Sequence, residues 1–322
     1  MALILLKLIA GLALIIVGAD KLVDGASSIA RRYGISEFII GMTIVGFGTS
    51  APEMVVSMTG AVEGNADIAI GNVVGSNIIN MLFGLGVTAL IFPMSITRTN
   101  FRRDLPLHFA CTALVLLLGM TGVLFPSLGT GDIRLSRIDG ALLLLAFVLY
   151  MWLNFRSGKA PAEQQEGSGK VWSMPLSIVM ILLGLVALVF GGRFFVNGAT
   201  GLARALGASD KFIAITVLAV GTSLPELATC IVAAAKHRGQ LALGNILGSN
   251  IFNLLLILGI SAVITPLSCE RMDFADALVL LTGAVLLMLA SWTGHNRKLD
   301  RFDGALLLLT WAGYMSWLIY KL

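Results

Sequence analysis

Residues 18–86 lie on residues 191–259 at a fixed offset of 173 without a gap, and 27 of the 69 positions are identical. The correspondence resumes after one change of length, where RIDGALLLLAFVLYMWL at 137–153 is echoed by RFDGALLLLTWAGYMSWL at 301–318. The chain is therefore two copies of one unit, and its fold must satisfy that unit twice. The stretch FRSGKAPAEQQEGSGKVW, 155–172, is the only long polar segment containing Gly and Pro, and it reads as the connection between copies. This divides the chain into a first copy at 1–155, a linker at 156–173 and a second copy at 174–322.

The unit is apolar. Hydrophobic residues make up 57% of the chain and charged residues 12%, far from the balance of a soluble globular domain. Apolar stretches close to the roughly 20 residues that a spanning helix needs recur along the whole length. Ten are expected, over 2–26, 36–62, 67–92, 105–125, 137–155, 174–200, 209–236, 241–266, 273–292 and 301–321. Five stretches per copy is an odd number, so the second copy must cross the membrane in the opposite sense. The expected fold is an all-α integral membrane protein with ten transmembrane helices arranged as two inverted five-helix repeats. The apolar start, MALILLKLIAGLALIIVGADKL, has no basic beginning or small-residue cleavage pattern, and its end matches the second copy, so it reads as the first helix.

Thirteen Lys and Arg residues fall in the loops after the odd-numbered stretches, against seven on the other face. The basic face is expected in the cytoplasm, with the linker there and both termini outside. Topology accounts for the basic loops, so the net charge of +4 calls for no nucleic-acid partner.

Between Phe38 and Val62 the only charge is Glu53, in GTSAPE; between Phe212 and Ala235 it is Glu226, in GTSLPE. A carboxylate at that depth costs about 2.5–3.5 kcal/mol on insertion scales, so it marks a site. Pro52 and Pro225 have no amide hydrogen and remove the helical bonds to the carbonyls of Gly48 and Gly221, so both helices are expected to bend or break there. Thr49, Ser50, Thr222 and Ser223 place hydroxyls beside each glutamate. GNVVGSNIIN at 71–80 and GNILGSNIFN at 244–253 then put Ser76 with Asn80, and Ser249 with Asn253, four apart on one helix face. Asn72, Asn77, Asn245 and Asn250 lie on other faces, where bonding between helices is the expected role.

Two carboxylates, hydroxyls, amide oxygens and freed carbonyls, without His or Cys, form a donor set for a hard cation such as calcium or sodium. A pseudo-two-fold axis would bring Glu53 and Glu226 together. Cys111, Cys230 and Cys269 read as small core residues. Asp20, Lys21 and Asp24 are expected to pair with each other or with water, Glu63 and Asp67 to cap the turn after the second stretch, and Asp139 and Asp303 to sit at positive helix ends. Trp152, Trp172, Trp292 and Trp317 read as interfacial belt residues.

GTSAPE and GTSLPE, each followed by GN-x-x-GSN-I-x-N, resemble the paired alpha repeats of the calcium/cation antiporter superfamily, in particular its bacterial sodium/calcium exchanger-like branch. The resemblance covers the whole chain in helix number and inversion. It implies a secondary antiporter and not an enzyme, in a bacterial cytoplasmic (inner) membrane, with calcium and sodium as transported ligands and no other cofactor or obligate protein partner. Carried over position by position, the implied ligands are Glu53, Glu226, Thr49, Thr222, Ser50, Ser223, Ser76, Ser249, Asn80 and Asn253, with carbonyls at Gly46 and Ala219. The first and sixth helices are implied to move across the ion-binding helices. Some members carry an aspartate at one of the positions held here by Asn80 and Asn253, a pattern similar to that of potassium-dependent exchangers; here both are amides. Residues 155–172 are also too few for the calcium-binding loop of animal exchangers.

The implied mechanism is competition between one calcium and several sodium ions for the same two carboxylates. Proton/calcium exchange is the nearest alternative, since two close glutamates share a proton when no cation is bound. A cation channel and an intramembrane protease are disfavoured by the inverted repeat and by the coordinating character of the residues around each glutamate.

Overall fold

The computed structural model describes residues 1–121, 133–156, 171–207, 219–269, 274–293 and 298–321. Most of the linker, residues 157–170, and parts of the stretches at 105–125 and 209–236 lie outside them. Helix α1 covers Ala2–Tyr33; α2 (Glu37–Thr49) and α3 (Ala51–Val62) form a bent pair; α4 covers Ala66–Ile91. Then come α5 (Leu105–Gly119), α6 (Arg137–Arg156), α7 (Met174–Ala205), α8 (Ala219–Gly221) and α9 (Leu224–Ala235). The chain ends with α10 (Gly239–Ile264), α11 (Phe274–Thr293) and α12 (Arg301–Lys321). Among the described residues seven helices are long and apolar enough to cross a membrane, eight if the bent pair counts as one span.

Helices α1 and α7 have 32 residues each and outrun the expected 2–26 and 174–200. At 1.5 Å per residue each is about 48 Å long, against about 30 Å of hydrocarbon. Helix α1 stops only where Gly34 turns left-handed at φ 64°, with Arg31 and Arg32 in the last turn against the negative helix end. The two helices lie together through glycines spaced by seven residues, close to two turns, which puts them on one stripe. A Cβ on Gly18 would meet the Gly184 carbonyl at 2.8 Å, and one on Gly184 the Gly18 carbonyl at 2.7 Å. Gly11 faces Gly191 and Gly25 faces Ser177, so the partners run in opposite order and the helices are antiparallel.

The α2–α3 pair bends by 49°. Ser50 sits at the bend with ψ 5°, and Pro52 falls in the first turn of α3, where its missing N–H costs no helical bond. The second copy does the same, with Ser223 at ψ 3° and Pro225 in the first turn of α9. The breaks expected from the two prolines are thus placed at the serines that precede them.

The all-α expectation needs one correction. Two short antiparallel ribbons form: β1 (Met94–Ser95) pairs with β4 (Lys298–Leu299), and β2 (Ile133–Leu135) pairs with β3 (Leu267–Cys269). The cause is local. Phe92 and Thr265 each precede a proline, are pushed out of the helical region to ψ 111° and 127°, and deliver an extended chain. Each ribbon joins one copy to the other. The helices above them interlock in the same crossed way, with Gly86 against Gly304 and Gly140 against Gly259.

Helices α4 and α10 occupy the centre and are largely buried, whereas α1, α6 and α12 keep most of their apolar surface exposed. Gly244 and Gly248 of α10 press against the backbone of Phe38 and Met42 in α2, so a side chain at either would collide with main chain. At the turn between α3 and α4, Glu63 is the C-terminal cap residue of α3 and Asp67 lies in the first turn of α4, while Asn65 is the N-terminal cap, its Oδ1 accepting from the Ile68 amide at 3.2 Å. Asp139 accepts from the Ser136 amide at 2.7 Å and Asp303 from the Asp300 amide at 3.0 Å, which makes both of them helix-start residues as expected.

Candidate ion-binding site

The two serine breaks and the two central helices converge. Glu53 and Glu226 have no exposed surface, and Thr49, Ser50, Ser76, Asn80, Ser223, Ser249 and Asn253 are at most 2% exposed. The hydroxyls cross between copies. Ser50 Oγ donates to Glu226 Oε1 at 3.0 Å, and Ser223 Oγ donates to Glu53 Oε1 at 3.5 Å. Within each copy the α4 or α10 serine serves its own glutamate: Ser76 Oγ lies 3.4 Å from Glu53 Oε1 and Ser249 Oγ 3.4 Å from Glu226 Oε1. The threonines complete the ring, with Thr49 Oγ1 3.4 Å from Ser249 Oγ and Thr222 Oγ1 3.4 Å from Ser76 Oγ. The Gly46 carbonyl, on the inner edge of α2, accepts from Ser249 Oγ at 3.2 Å.

Two of the expected residues, Asn80 and Asn253, make no hydrogen bond to either glutamate among the described residues. Asn80 Nδ2 reaches Asn250 Oδ1 at 3.4 Å, while both amide atoms of its counterpart Asn253 are buried without a hydrogen-bond partner among the described residues. Ala219 begins α8, at the edge of the described residues. The framework amides have a clear task. Asn72 Nδ2 donates to the Glu53 carbonyl at 3.2 Å and Asn245 Nδ2 to the Glu226 carbonyl at 3.4 Å, so each ties the first turn of a broken helix to its neighbour. Asn245 Oδ1 also accepts from Thr49 Oγ1 at 3.2 Å.

Oε2 of each glutamate is buried and has no partner among the described residues. A bare carboxylate oxygen in such surroundings is expensive unless a cation or a proton meets it. Hydroxyl, amide and carboxylate oxygens suit a hard cation, and among the described residues no cluster of three or more His, Cys, Asp or Glu offers an alternative. A cavity of about 520 Å3 borders the site between α7 and the starts of α3 and α9, lined in part by Pro52, Asn72, Arg193, Asn197, Thr222 and Pro225.

Sequence reasoning left two features out. Asp20 pairs with Lys21 at 3.0 Å as expected, but Lys236, past the end of α9, also reaches Asp20 at 2.6 Å and Asp24 at 2.7 Å and ties α1 down. His108 of α5 is buried, with Nε2 3.5 Å from Asn250 Nδ2. Its signal was visible as a polar ring inside an apolar stretch. Cys111 and Cys230 are buried free thiols, in line with the core reading, and the Cys269 side chain lies outside the described residues. Arg156 lies over the Trp152 ring at 5.2 Å and Lys321 over Trp317 at 5.0 Å, an arrangement suited to an interfacial belt.

The sequence profile described as sodium/calcium exchanger protein matches residues 3–156 and 176–320. The inner membrane protein YrbG of Escherichia coli (strain K12) is 35% identical over 323 residues, covering 97% of this chain and 94% of that protein. The sodium/calcium exchanger MaX1 of Methanosarcina acetivorans is 30% identical over 346 residues, covering 98% of each. The solved structure of the sodium-calcium exchanger NCX_Mj, soaked with sodium and without calcium, is similar at a TM-score of 0.83 and 31% identity, covering 98% of both chains.

Proposed function

Because the chain belongs to the sodium/calcium exchanger protein family, we propose that it exchanges calcium for sodium across a membrane by alternating access at one shared site. The ligands are Glu53, Glu226, Thr49, Thr222, Ser50, Ser223, Ser76, Ser249, Asn80 and Asn253, with the carbonyls of Gly46 and Ala219. The single observation that carries this reading is the crossing of hydroxyls, in which Ser50 serves Glu226 and Ser223 serves Glu53. Neither copy holds a complete cage alone, so an ion bound there bridges both.

The architecture of the proposal is ten transmembrane helices in two inverted five-helix repeats, 1–155 and 174–322, joined by a cytoplasmic linker at 156–173. Inversion is supported by α1 and α7, which correspond at the 173-residue offset and lie antiparallel along their glycine stripes. The basic loops place both termini outside the cytoplasm, and the name of YrbG supports a bacterial inner membrane. In that orientation Lys236, bound to Asp20 and Asp24, closes the cytoplasmic side, while the cavity lined by Arg193 and Asn197 lies toward the outside.

With Glu53 and Glu226 ionised the site carries two negative charges, which one calcium balances. Calcium and sodium compete for the same oxygens, and a form that leaves the buried carboxylates unmet resists the inside/outside switch. Proton coupling is the second reading, favoured by the two unpartnered buried Oε2 atoms, either of which a proton would satisfy. Calcium uptake into everted membrane vesicles separates the two. Uptake should stop when the sodium gradient is collapsed and survive collapse of the pH gradient; the opposite pattern overturns sodium coupling.

A further inference from the structure

The two copies treat their second asparagine pair differently. Asn77 and Asn250 are equivalent at the 173-residue offset, and both are fully buried. Asn250 is bonded on both ends: its Oδ1 accepts from Asn80 Nδ2 at 3.4 Å, and its Nδ2 lies 3.5 Å from His108 Nε2. Among the described residues Asn77 has no hydrogen-bond partner at either amide atom, and neither has Asn253, the equivalent of Asn80. The difference has a visible source. Helix α5 packs against α10 and brings His108 to Asn250; α11 packs against α4, and Phe274–Thr293 contains no histidine.

We propose that His108 is a positioning residue for the ion site, acting through Asn250 to fix which amide atom of Asn80 is offered to the cation. The direction of the chain follows from donor and acceptor chemistry. Asn250 Nδ2 is an N–H group and can only donate, so Nε2 of His108 is the acceptor and the neutral ring carries its proton on Nδ1. With its nitrogen spent on His108, Asn250 turns its oxygen to Asn80, and that oxygen takes an N–H of Asn80. The atom that Asn80 has left to offer is then Oδ1, the atom a cation requires. Without an acceptor at position 108 the Asn250 amide is free to rotate, and Asn80 loses the partner that holds its nitrogen away from the ion. Asn253 has no such chain behind it among the described residues, and none of them sets its orientation by a hydrogen bond. The two amide ligands are therefore unequal: Asn80 is preorganised, whereas Asn253 is oriented by the ion it meets.

This inference rests on the exchanger reading, and the experiment distinguishes the failure of each. Calcium half-saturation and maximal rate are measured in proteoliposomes for the wild type, His108→Leu, His108→Phe and His108→Gln. Leucine and phenylalanine remove the acceptor while filling the buried space in two shapes, so the comparison stands if either folds; glutamine restores an acceptor oxygen. We expect half-saturation to rise about three- to tenfold in the leucine and phenylalanine variants, the range one neutral hydrogen bond supports. Maximal rate should stay within about twofold, and His108→Gln should return half-saturation to within about twofold of wild type, limits narrower than the loss of one such bond. Wild-type half-saturation in a folded leucine or phenylalanine variant would overturn the proposal. So would a glutamine variant as impaired as the leucine one, or a loss confined to maximal rate. Absence of calcium flux in the wild type would instead overturn the exchanger reading.

Discussion

The crossed hydroxyl at Ser50 lends itself to a quantitative test, because its geometry isolates one bond. Ser50 Oγ lies 3.0 Å from Glu226 Oε1, a second donor to that oxygen, Ser249, is at 3.4 Å, and Oε2 has none among the described residues. Ser50 is 2% exposed and Glu226 fully buried, so bulk water does not replace the donor when Ser50→Ala removes it. Ser50 Oγ is one of the oxygens proposed to hold calcium, and a contact between a hydroxyl and a charged partner contributes about 1.5–3 kcal/mol, so at about 1.4 kcal/mol per decade its removal weakens calcium binding roughly 10- to 150-fold. Ser223→Ala removes the equivalent donor, which sits farther from Glu53 Oε1 at 3.5 Å, so its loss should be smaller. Ser57→Ala is the control. Ser57 is equally buried but accepts from Asn72 at 2.9 Å and is not one of the proposed ligands, so its bond is kept with and without the ion and largely cancels from binding, leaving about a threefold change or less, the low end of one neutral bond. The assay is calorimetric titration of calcium into the purified protein in sodium-free buffer. A Ser50→Ala affinity within about twofold of wild type, well below the loss of a charge-assisted bond, would refute the argument that the site is closed across the two copies. A larger loss in Ser223→Ala than in Ser50→Ala would refute the use of the distances.

Glu53→Gln and Glu226→Gln should each abolish calcium transport in vesicles without reducing the amount of protein in the membrane, since removing a buried charge lowers the insertion cost; robust exchange by either would overturn the site. Gly18→Ala sets a Cβ 2.8 Å from the Gly184 carbonyl, and overpacking of this kind costs about 1–3 kcal/mol, so the thermal midpoint should fall by several degrees; an unchanged midpoint would show that α1 and α7 separate freely. Sodium-driven calcium flux should continue when an inert organic cation replaces potassium, because two carboxylates without a third leave no charge to recruit it; a collapse of the rate would refute the charge count. Topology reporters fused at Gly158 and after Leu322 should report opposite sides of the membrane, and the same side for both would refute the inverted pairing.

Much of this was legible in the sequence because it follows from chemistry carried by the chain itself. Composition alone forces the helices into lipid, since no other solvent takes so much apolar surface. Identity at a constant offset announces the duplication, and a proline inside an apolar run marks where a helix gives up its hydrogen bonds, so breaks close to Pro52 and Pro225, each beside a lone glutamate, could be named in advance. The β ribbons at Met94 and Leu267 were within reach too, because each follows an X-Pro pair that steers the backbone out of the helix.

What only the tertiary structure decided is partnership across long separations. That Ser50 meets Glu226 rather than Glu53, that Lys236 holds Asp20 and Asp24, and that His108 finds Asn250 are facts about residues 142 to 216 positions apart. Helical periodicity gives the face a side chain occupies but not the helix that face will meet, and two copies that share the GTS-x-PE motif offer each donor two chemically equivalent acceptors. The choice is made where backbones close on each other, at Gly244 and Gly248 against Phe38 and Met42 and at Gly86 against Gly304. Those contacts bring parts of one copy against the other, and only after they are made does a serine hydroxyl come within reach of the opposite glutamate.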